Sequence, residues 1–581
     1  MFDSSKMFRV LFLSVTYVVF SLSCFGCGDS SKTGEKSFVN SETLENIARV
    51  LWMRDVDPGV FPADVNEKLN SYKNSEKAFG ERMLYLLEDM KAIPDSFTPS
   101  YTDLYDTFAQ YTDKLTPHQN YAMASNLGME ASRGHQELPS DITFSFPEDD
   151  RPWWEYQAGW HFFVGSAFAD NGQEYGIEFM FWQTAILPQT IAKQLGLTPI
   201  ENQVIEIHLA VTPAGDRHYR AKPYIVAGTT GLIGFSSSPF HYTLGNNSMR
   251  SLNADSLFPI ELKAWGIDNT RGTPVEMEIN ITLNQAKPYM LNGDNGLDPS
   301  CGGVGTIYYS VTNLLVDPEN SWLMLDGKKV KLTGGKLWYD HQWGSNPSAT
   351  NPRVEVLRAA QNLEPKEPDG WEWIAVMFDD DTEISLSVPK TNANKEFYMQ
   401  TGSEPPGEMT EAANGLYNDE SGNYSPVKGS IRVTEWIKST VSHDQYMATS
   451  TWYPNRVEVT MDEGSVPEDK RRFTLVPIVE GGQVGWFAPG WQYSEGAVYI
   501  EAPDGTLLGR GFLELTGWAD YRKQLLHIAG LPETEEMMEL IDVRLPSEKL
   551  IQESMDFLLI PENAEKLNET LSQCRGRPGQ F

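Results

Sequence analysis

The run GGKLWYDHQWGSN, Gly334 to Asn346, sets a carboxyl group and an imidazole side by side. These are Asp340 and His341, and the rings of Trp338, Tyr339 and Trp343 surround them. A carboxyl in apolar surroundings has its pKa raised, because burial disfavours the anion. It then stays protonated near neutral pH and acts as a general acid. Indole faces stabilise a nearby cation by about 0.5–2 kcal/mol each. The composition therefore suits protonation of a C=C bond at Asp340, with the rings holding the carbocation until water captures it. His341 is placed to orient the carboxyl or relay its proton. The same residues also suit a polar tie at a barrel end. Neighbours on a strand point to opposite faces, so only one of Asp340 and His341 is expected to face a pocket.

Glu495, entering a strand beside Tyr493, is the second candidate acid; a core arginine partner is its structural alternative. Glu178 and His208 lie opposite the apolar rows of their strands, facing either a lumen or solvent. Trp153, Trp154 and Trp371 suit a core or a ligand wall. Other chemistries find little support. There is no GxSxG elbow for a serine nucleophile. GHQEL (134–138) and HDQY (443–446) lack the second ligand of HExxH. TGGKLW (333–338) lacks phosphate-loop spacing, and NGDNGLDPS (292–300) is an incomplete calcium loop that reads as a turn. Neither a metal nor another cofactor is expected.

The elements that position these groups read as strands. VIEIHLAVT puts Ile205, Ile207, Leu209 and Val211 on one face and Glu206, His208 and Ala210 on the other, before PAGD (213–216) turns the chain. YGIEFMFWQ places Glu178, Met180 and Trp182 opposite Phe179 and Phe181. Hairpins are expected at 370–388, about an Asp-rich turn, and at 496–517, about Pro503-Asp504-Gly505. Aromatic residues form 12% of the 581-residue chain, which suits pleated sheets. Residues 40–135 show helical spacing, as at Met83, Leu86, Leu87 and Met90, and 532–573 is helical in parts. The polar stretches 359–370 and 392–426 read as connections. The fold class expected is mainly β: two barrels, 140–355 and 356–560, behind a small helical region at 40–135, ending in short helices and a tail at 561–581.

A net charge of −34 disfavours nucleic acid and anionic lipid headgroups as partners. The first 27 residues carry Lys6, Arg9 and the apolar run Val10–Leu22, of signal-peptide length, and 28–39 reads as a tether. This segment resembles a bacterial lipoprotein signal, lipidated at Cys27 or Cys24. The expectation is a cell-envelope protein, lipid-anchored or secreted, with no obligate protein partner. Cys301 and Cys574 are candidates to pair after export.

Several segments together resemble the AttH-like family, which includes carotenoid 1,2-hydratase (hydroxyneurosporene synthase). They are PWWEYQAGWHF (152–162), YGIEFMFWQ (175–183), IHLAVTPAGDRHY (207–219), IYYSVTNLLV (307–316), GKLWYDHQWGS (335–345), GWEWIAVMFDDDTE (370–383) and YSEGAVYIEAPDGTLLGRGFLELTGW (493–518). The chain departs from the family pattern at Arg151-Pro152 and at Ser494, where a Trp is usual. The resemblance implies two tandem lipocalin-like barrels, an apolar ligand such as an isoprenoid, polyene or lipid, and functional interest at the aspartate, Asp340. The leading expectation is an exported protein that binds such a molecule and, if it is an enzyme, acts on it as a cofactor-independent hydratase (hydro-lyase) or isomerase through acid–base chemistry at Asp340. A non-catalytic carrier of hydrophobic compounds and a secreted lipid hydrolase are the alternatives.

Overall fold

The computed structural model describes residues 142–519 with interruptions at 186–197, 222–223, 229–230, 269–272, 299–305, 346–370, 440–450, 465, 481–483 and 489–490, together with positions 136, 138, 139 and 534. The signal segment, all four cysteines, the region 40–135 and the segment 535–581 lie outside the described residues, as does the expected boundary at 355/356.

Among the described residues, twenty-four strands form two sheets. The first sheet holds β1 (Ala158–Ala169), β2 (Glu174–Ala185), β3 (Gln203–Pro213), β4 (Tyr219–Arg220), β5 (Tyr224–Ala227), β6 (Ile233–Ser237), β7 (Phe240–Leu244), β8 (Asn247–Ser251), β9 (Ile260–Asp268), β10 (Val275–Gln285), β11 (Met290–Leu291), β12 (Leu297–Asp298), β13 (Thr306–Val316), β14 (Trp322–Leu325) and β15 (Lys328–Gly344). The second holds β16 (Glu372–Phe378), β17 (Glu383–Val388), β18 (Met409–Asn418), β19 (Tyr424–Lys438), β20 (Trp452–Met461), β21 (Arg472–Pro477), β22 (Val484–Ala488), β23 (Trp491–Glu501) and β24 (Leu507–Leu515).

In the second sheet β21 pairs with both β20 and β23, which closes eight strands into a barrel. The first sheet runs β4-β3-β2-β1-β15-β13-β10-β9-β8-β7-β6 and curls until Ala221, just after β4, packs against Gly266 of β9. The chain is mainly β and lipocalin-like, in two successive units, as its alternating patterns imply.

Each lumen is filled by the apolar face of its own strands. Ile205, Ile207, Leu209 and Val211 of β3 join Phe163, Phe179 and Tyr339 in the first core. Ile374, Val376, Leu386, Val498 and Leu513 build the second. The opposite faces of β1, β2 and β15 turn towards β16, β23 and β24, and a third apolar cluster lies between the sheets, with Phe162, Val164, Trp338, Trp373, Ala497 and Phe512. A face that alternation alone assigned to lumen or solvent is therefore an inter-sheet seam.

The two expected hairpins form, β16–β17 about Asp379–Asp381 and β23–β24 about Pro503–Gly505. The polar stretch 392–426 is not all connection. Its middle, MTEAANGLYN, is β18, which buries Met409, Glu411, Ala413 and Leu416. Small and polar side chains there mask the period-two pattern, and pairing with β17 and β19 supplies the order that side-chain periodicity does not.

Candidate active site

The β15 strand crosses the seam with strict alternation. Trp338, Asp340 and Gln342 face the second sheet, while Leu337, Tyr339, His341 and Trp343 face the first core. Asp340 and His341 are thus separated. Tyr339 stacks on Phe163 at 4.6 Å, and Trp343 stacks on Trp153 at 5.2 Å. His341 lies 3.9 Å from the ring of His161, with its nitrogens 2.9 Å from the Trp160 carbonyl and 3.0 Å from that of Arg151. Burial pushes His341 down to about 4 and holds it neutral. Trp154 packs in the same core. Of the rings expected around Asp340, only Trp338 is on its side of the strand.

Asp340 faces a cavity of about 40 Å³ between the sheets, room for roughly three waters. Its first-sheet wall includes Trp160, Phe162, Trp182 and Tyr308, and its second-sheet wall includes Trp371, Trp373, Glu372 and Glu514. Trp160 and Trp182 stack at 4.7 Å. Trp373 meets Trp338 edge-on at 5.7 Å.

The donors around Asp340 are arranged on one side. Oδ1 accepts from Ser310 Oγ at 2.5 Å and Trp338 Nε1 at 2.7 Å, and Oδ2 accepts from Tyr308 Oη at 2.8 Å. Burial nonetheless outweighs these donors and pushes the carboxyl up to about 7. Glu514 enters from β24, with Oε1 accepting from Trp371 Nε1 at 2.7 Å. Burial, opposed by that hydrogen bond and reinforced by the charge of Asp340, pushes Glu514 up to about 8. Asp340 and Glu514, which hold protons near neutrality, therefore face one ring-walled space from opposite sheets; Glu372, also on the wall and pushed up to about 8 by burial and the charge of Glu411, is opposed by Lys390.

Four further sequence candidates come together elsewhere on the seam. Arg220 Nη1 lies 2.5 Å from Glu178 Oε2 and 3.6 Å from Glu495 Oε2. Arg220 Nη2 lies 3.2 Å from His208 Nδ1, which is 2.9 Å from Tyr493 Oη. Glu495 has the arginine partner that was its structural alternative. This group does not line the cavity with Asp340.

Glu514, Tyr308, Ser310 and Trp160 escaped the sequence reading, and Trp182, placed on one face with Glu178, was not named as a site residue. For Glu514 a signal existed: in GFLEL it falls two residues after Phe512, on the same strand face. What sequence lacked was the second sheet lying over that face.

An all-β protein with two lipocalin-like sheets and an acid-lined cavity at their seam defines the class to which this chain belongs. Residues 137–518 match the AttH-like family model, and the chain is a member of the AttH-like family. Among solved structures it is similar to a protein assigned to AttH from Nitrosomonas europaea, at 18% identity and a TM-score of 0.47, over 66% of this chain and all of that one. It is also similar to kievitone hydratase from Nectria haematococca, at 11% identity and a TM-score of 0.41, over 67% of this chain and 98% of that one. No curated protein matches the chain.

Proposed function

We propose that this protein is a cofactor-independent hydratase of the hydro-lyase class, acting on a C=C bond in an apolar, isoprenoid- or polyene-like molecule. The observation that carries this reading is the pair Asp340 and Glu514, both with raised proton affinity, on facing walls of an aromatic cavity.

The donor sets divide the roles. Three donors reach Asp340 and favour its anion; one reaches Glu514, whose proton the Asp340 charge also retains. Glu514 is then the acid, and Asp340, first expected to be the acid, is the base. The Glu514 proton passes to one alkene carbon, whose π pair forms the new C–H bond. The neighbouring carbon becomes a cation beside the faces of Trp160, Trp182 and Trp373. Water adds its oxygen there, and its surplus proton goes to Asp340. A proton moved from Asp340 back to Glu514 resets the site.

The cavity is small and both lumens are packed, which favours entry of the reacting end of a substrate over enclosure of a whole polyene. This weighs against the carrier alternative. The test is hydration of methyl-branched alkenes in heavy-oxygen water, read by mass spectrometry. Label in a product alcohol with the wild type, and none with Asp340→Asn or Glu514→Gln, is expected. Label persisting at wild-type rate in both variants would remove the reading.

Export with an acyl anchor at Cys27 or Cys24 belongs to the same proposal and rests on the apolar run Val10–Leu22. Metabolic labelling with a fatty acid should mark the protein and fail when both cysteines are changed to serine.

A further inference from the structure

Beside the cavity, one guanidinium at the seam meets carboxyls from both sheets, in a region that holds four glutamates. Glu178 and Glu206 come from the first sheet, Glu495 and Glu514 from the second, and Arg220 contacts the first and third of these directly. Arg220 is committed to Glu178, at 2.5 Å, and only reaches towards Glu495, at 3.6 Å. The Glu178 and Glu495 carboxyls therefore meet at one guanidinium nitrogen, Arg220 Nη1, from opposite sheets, and each raises the cost of the other's charge. Two carboxylates are acceptors only and cannot bond; a carboxyl and a carboxylate can. Glu178 Oε1 and Glu495 Oε2 are both buried with no donor from any other group. A proton between the two side chains gives an orphaned oxygen its partner.

We propose that Glu495 of the second sheet holds a proton and donates it to Glu178 of the first sheet beneath Arg220, and that this proton is a pH-sensitive latch holding the two sheets together. Loss of the proton leaves two anions facing each other across the seam with one guanidinium between them. Like charges buried at this range repel strongly.

Among the described residues, Arg220 is the cation that acts on Glu495. From β3, Glu206 and His208 face it; burial raises Glu206 to about 8 and holds His208 neutral. From the β3–β4 segment, His218 bonds Thr212, 2.8 Å away. From β15 comes Asp340, and from β23 come Tyr493 and Tyr499. From β24 come Glu514, itself an acid, and Arg510, which is tied to Glu174 of β2 at 2.7 Å. Deprotonation therefore adds negative charge to a region already rich in carboxyls.

The test is hydrogen exchange of the intact protein between pH 6 and pH 9, followed in the segments 175–182 and 493–500 and corrected for intrinsic exchange. Opening of the wild type should rise by up to about tenfold per pH unit once the latch titrates. Glu495→Gln keeps a donor at the position but has no titrating proton, so its opening should rise less steeply than the wild type's by up to about one titration step, about tenfold per pH unit, the remaining rise being that of Asp340, Glu206 and Glu514. Glu514→Gln leaves the latch proton in place and should keep the latch's share of the rise. Glu178→Gln decides the matter if Glu495→Gln does not fold, and should make the rise shallower likewise. A flat wild-type profile, or a glutamine variant at either latch position as steep as the wild type, overturns the proposal.

Discussion

Glu495 and Glu514 stand directly opposite each other across the β23–β24 ladder, on the same face and both buried. Like charges at such cross-strand positions are destabilising, so the pair persists by holding protons. Glu514 looks into the cavity, while Glu495 looks towards Arg220. One ladder position thus links the proposed chemistry to the tie between the sheets.

The acid pair fixes the expected pH profile of turnover. Asp340 must be ionised and Glu514 protonated, with affinities near about 7 and about 8. The rate should rise as pH passes about 7 and fall beyond about 8, these limits belonging to the coupled pair. Asp340→Asn should lower kcat by about 10²–10⁴-fold, the usual worth of a positioned acid–base group. A profile flat from pH 6 to pH 9 would refute the division of roles.

Folding stability should be greatest in mild acid. Burial raises Asp150 and Asp340 to about 7, and Glu206 and Glu514 to about 8. Raised carboxyls contribute stability that is complete below their unfolded pKa values, near 4, and is lost as pH climbs through the folded values. His341, lowered to about 4, acts in the opposite sense: its contribution is present above about 6.5 and is lost as pH falls towards 4. Four raised carboxyls outweigh one lowered imidazole, so thermal midpoints measured from pH 4 to pH 9 should be highest at the acid end and fall as pH rises to about 8. A peak at pH 8 would contradict this balance.

Lys287 reaches from the first sheet into the second, where it donates to Glu383 Oε2 at 2.6 Å, to the Asp419 carbonyl at 2.6 Å and to the carbonyl of Asp381. Breaking such a pair by removing one member costs about 3–5 kcal/mol. Lys287→Met should therefore destabilise strongly at pH 8. At pH 5 the loss should be smaller, because Glu383, already pushed up to about 7 by burial, escapes the penalty by taking a proton. Urea titrations at the two pH values measure the difference, and equal losses would contradict the account.

Gly176 lies at a close approach of the two sheets. A Cβ built there would sit 2.7 Å from Ala497 Cβ and 3.1 Å from Ile478 Cδ1. Gly176→Val should overpack the seam and cost about 1–3 kcal/mol. Ala497→Gly in the same chain should recover part of that loss, which a double-mutant cycle in denaturant would detect as coupling.

Much of the architecture was legible because it depends on period and turn chemistry. The row Ile205, Ile207, Leu209 and Val211 declares its strand, and the Asp-rich and Pro-Asp-Gly turns declare their hairpins. Strand β18 was not legible, since Ala412, Ala413, Asn414 and Gly415 carry no contrast between faces. The site was half legible. Asp340 and Trp338 are two residues apart and share a face by local geometry alone. Glu514 and Trp371 reach the same cavity through contacts between sheets, which no local pattern encodes. The proximity of Asp340 to Tyr339, His341 and Trp343 in the sequence is undone by the pleat, which sends these three to the other side.

The cavity has walls from both sheets, and neither sheet alone encloses it. Its dimensions are therefore set by how two separately folded surfaces seat on one another, much as the gap between two gears depends on their axle spacing. Relatives with differently sized seam residues would acquire differently sized reaction chambers while both lumens, and so the scaffold, stay as they are. On the proposed function, a change of spacing between the halves is enough to change the substrate accepted.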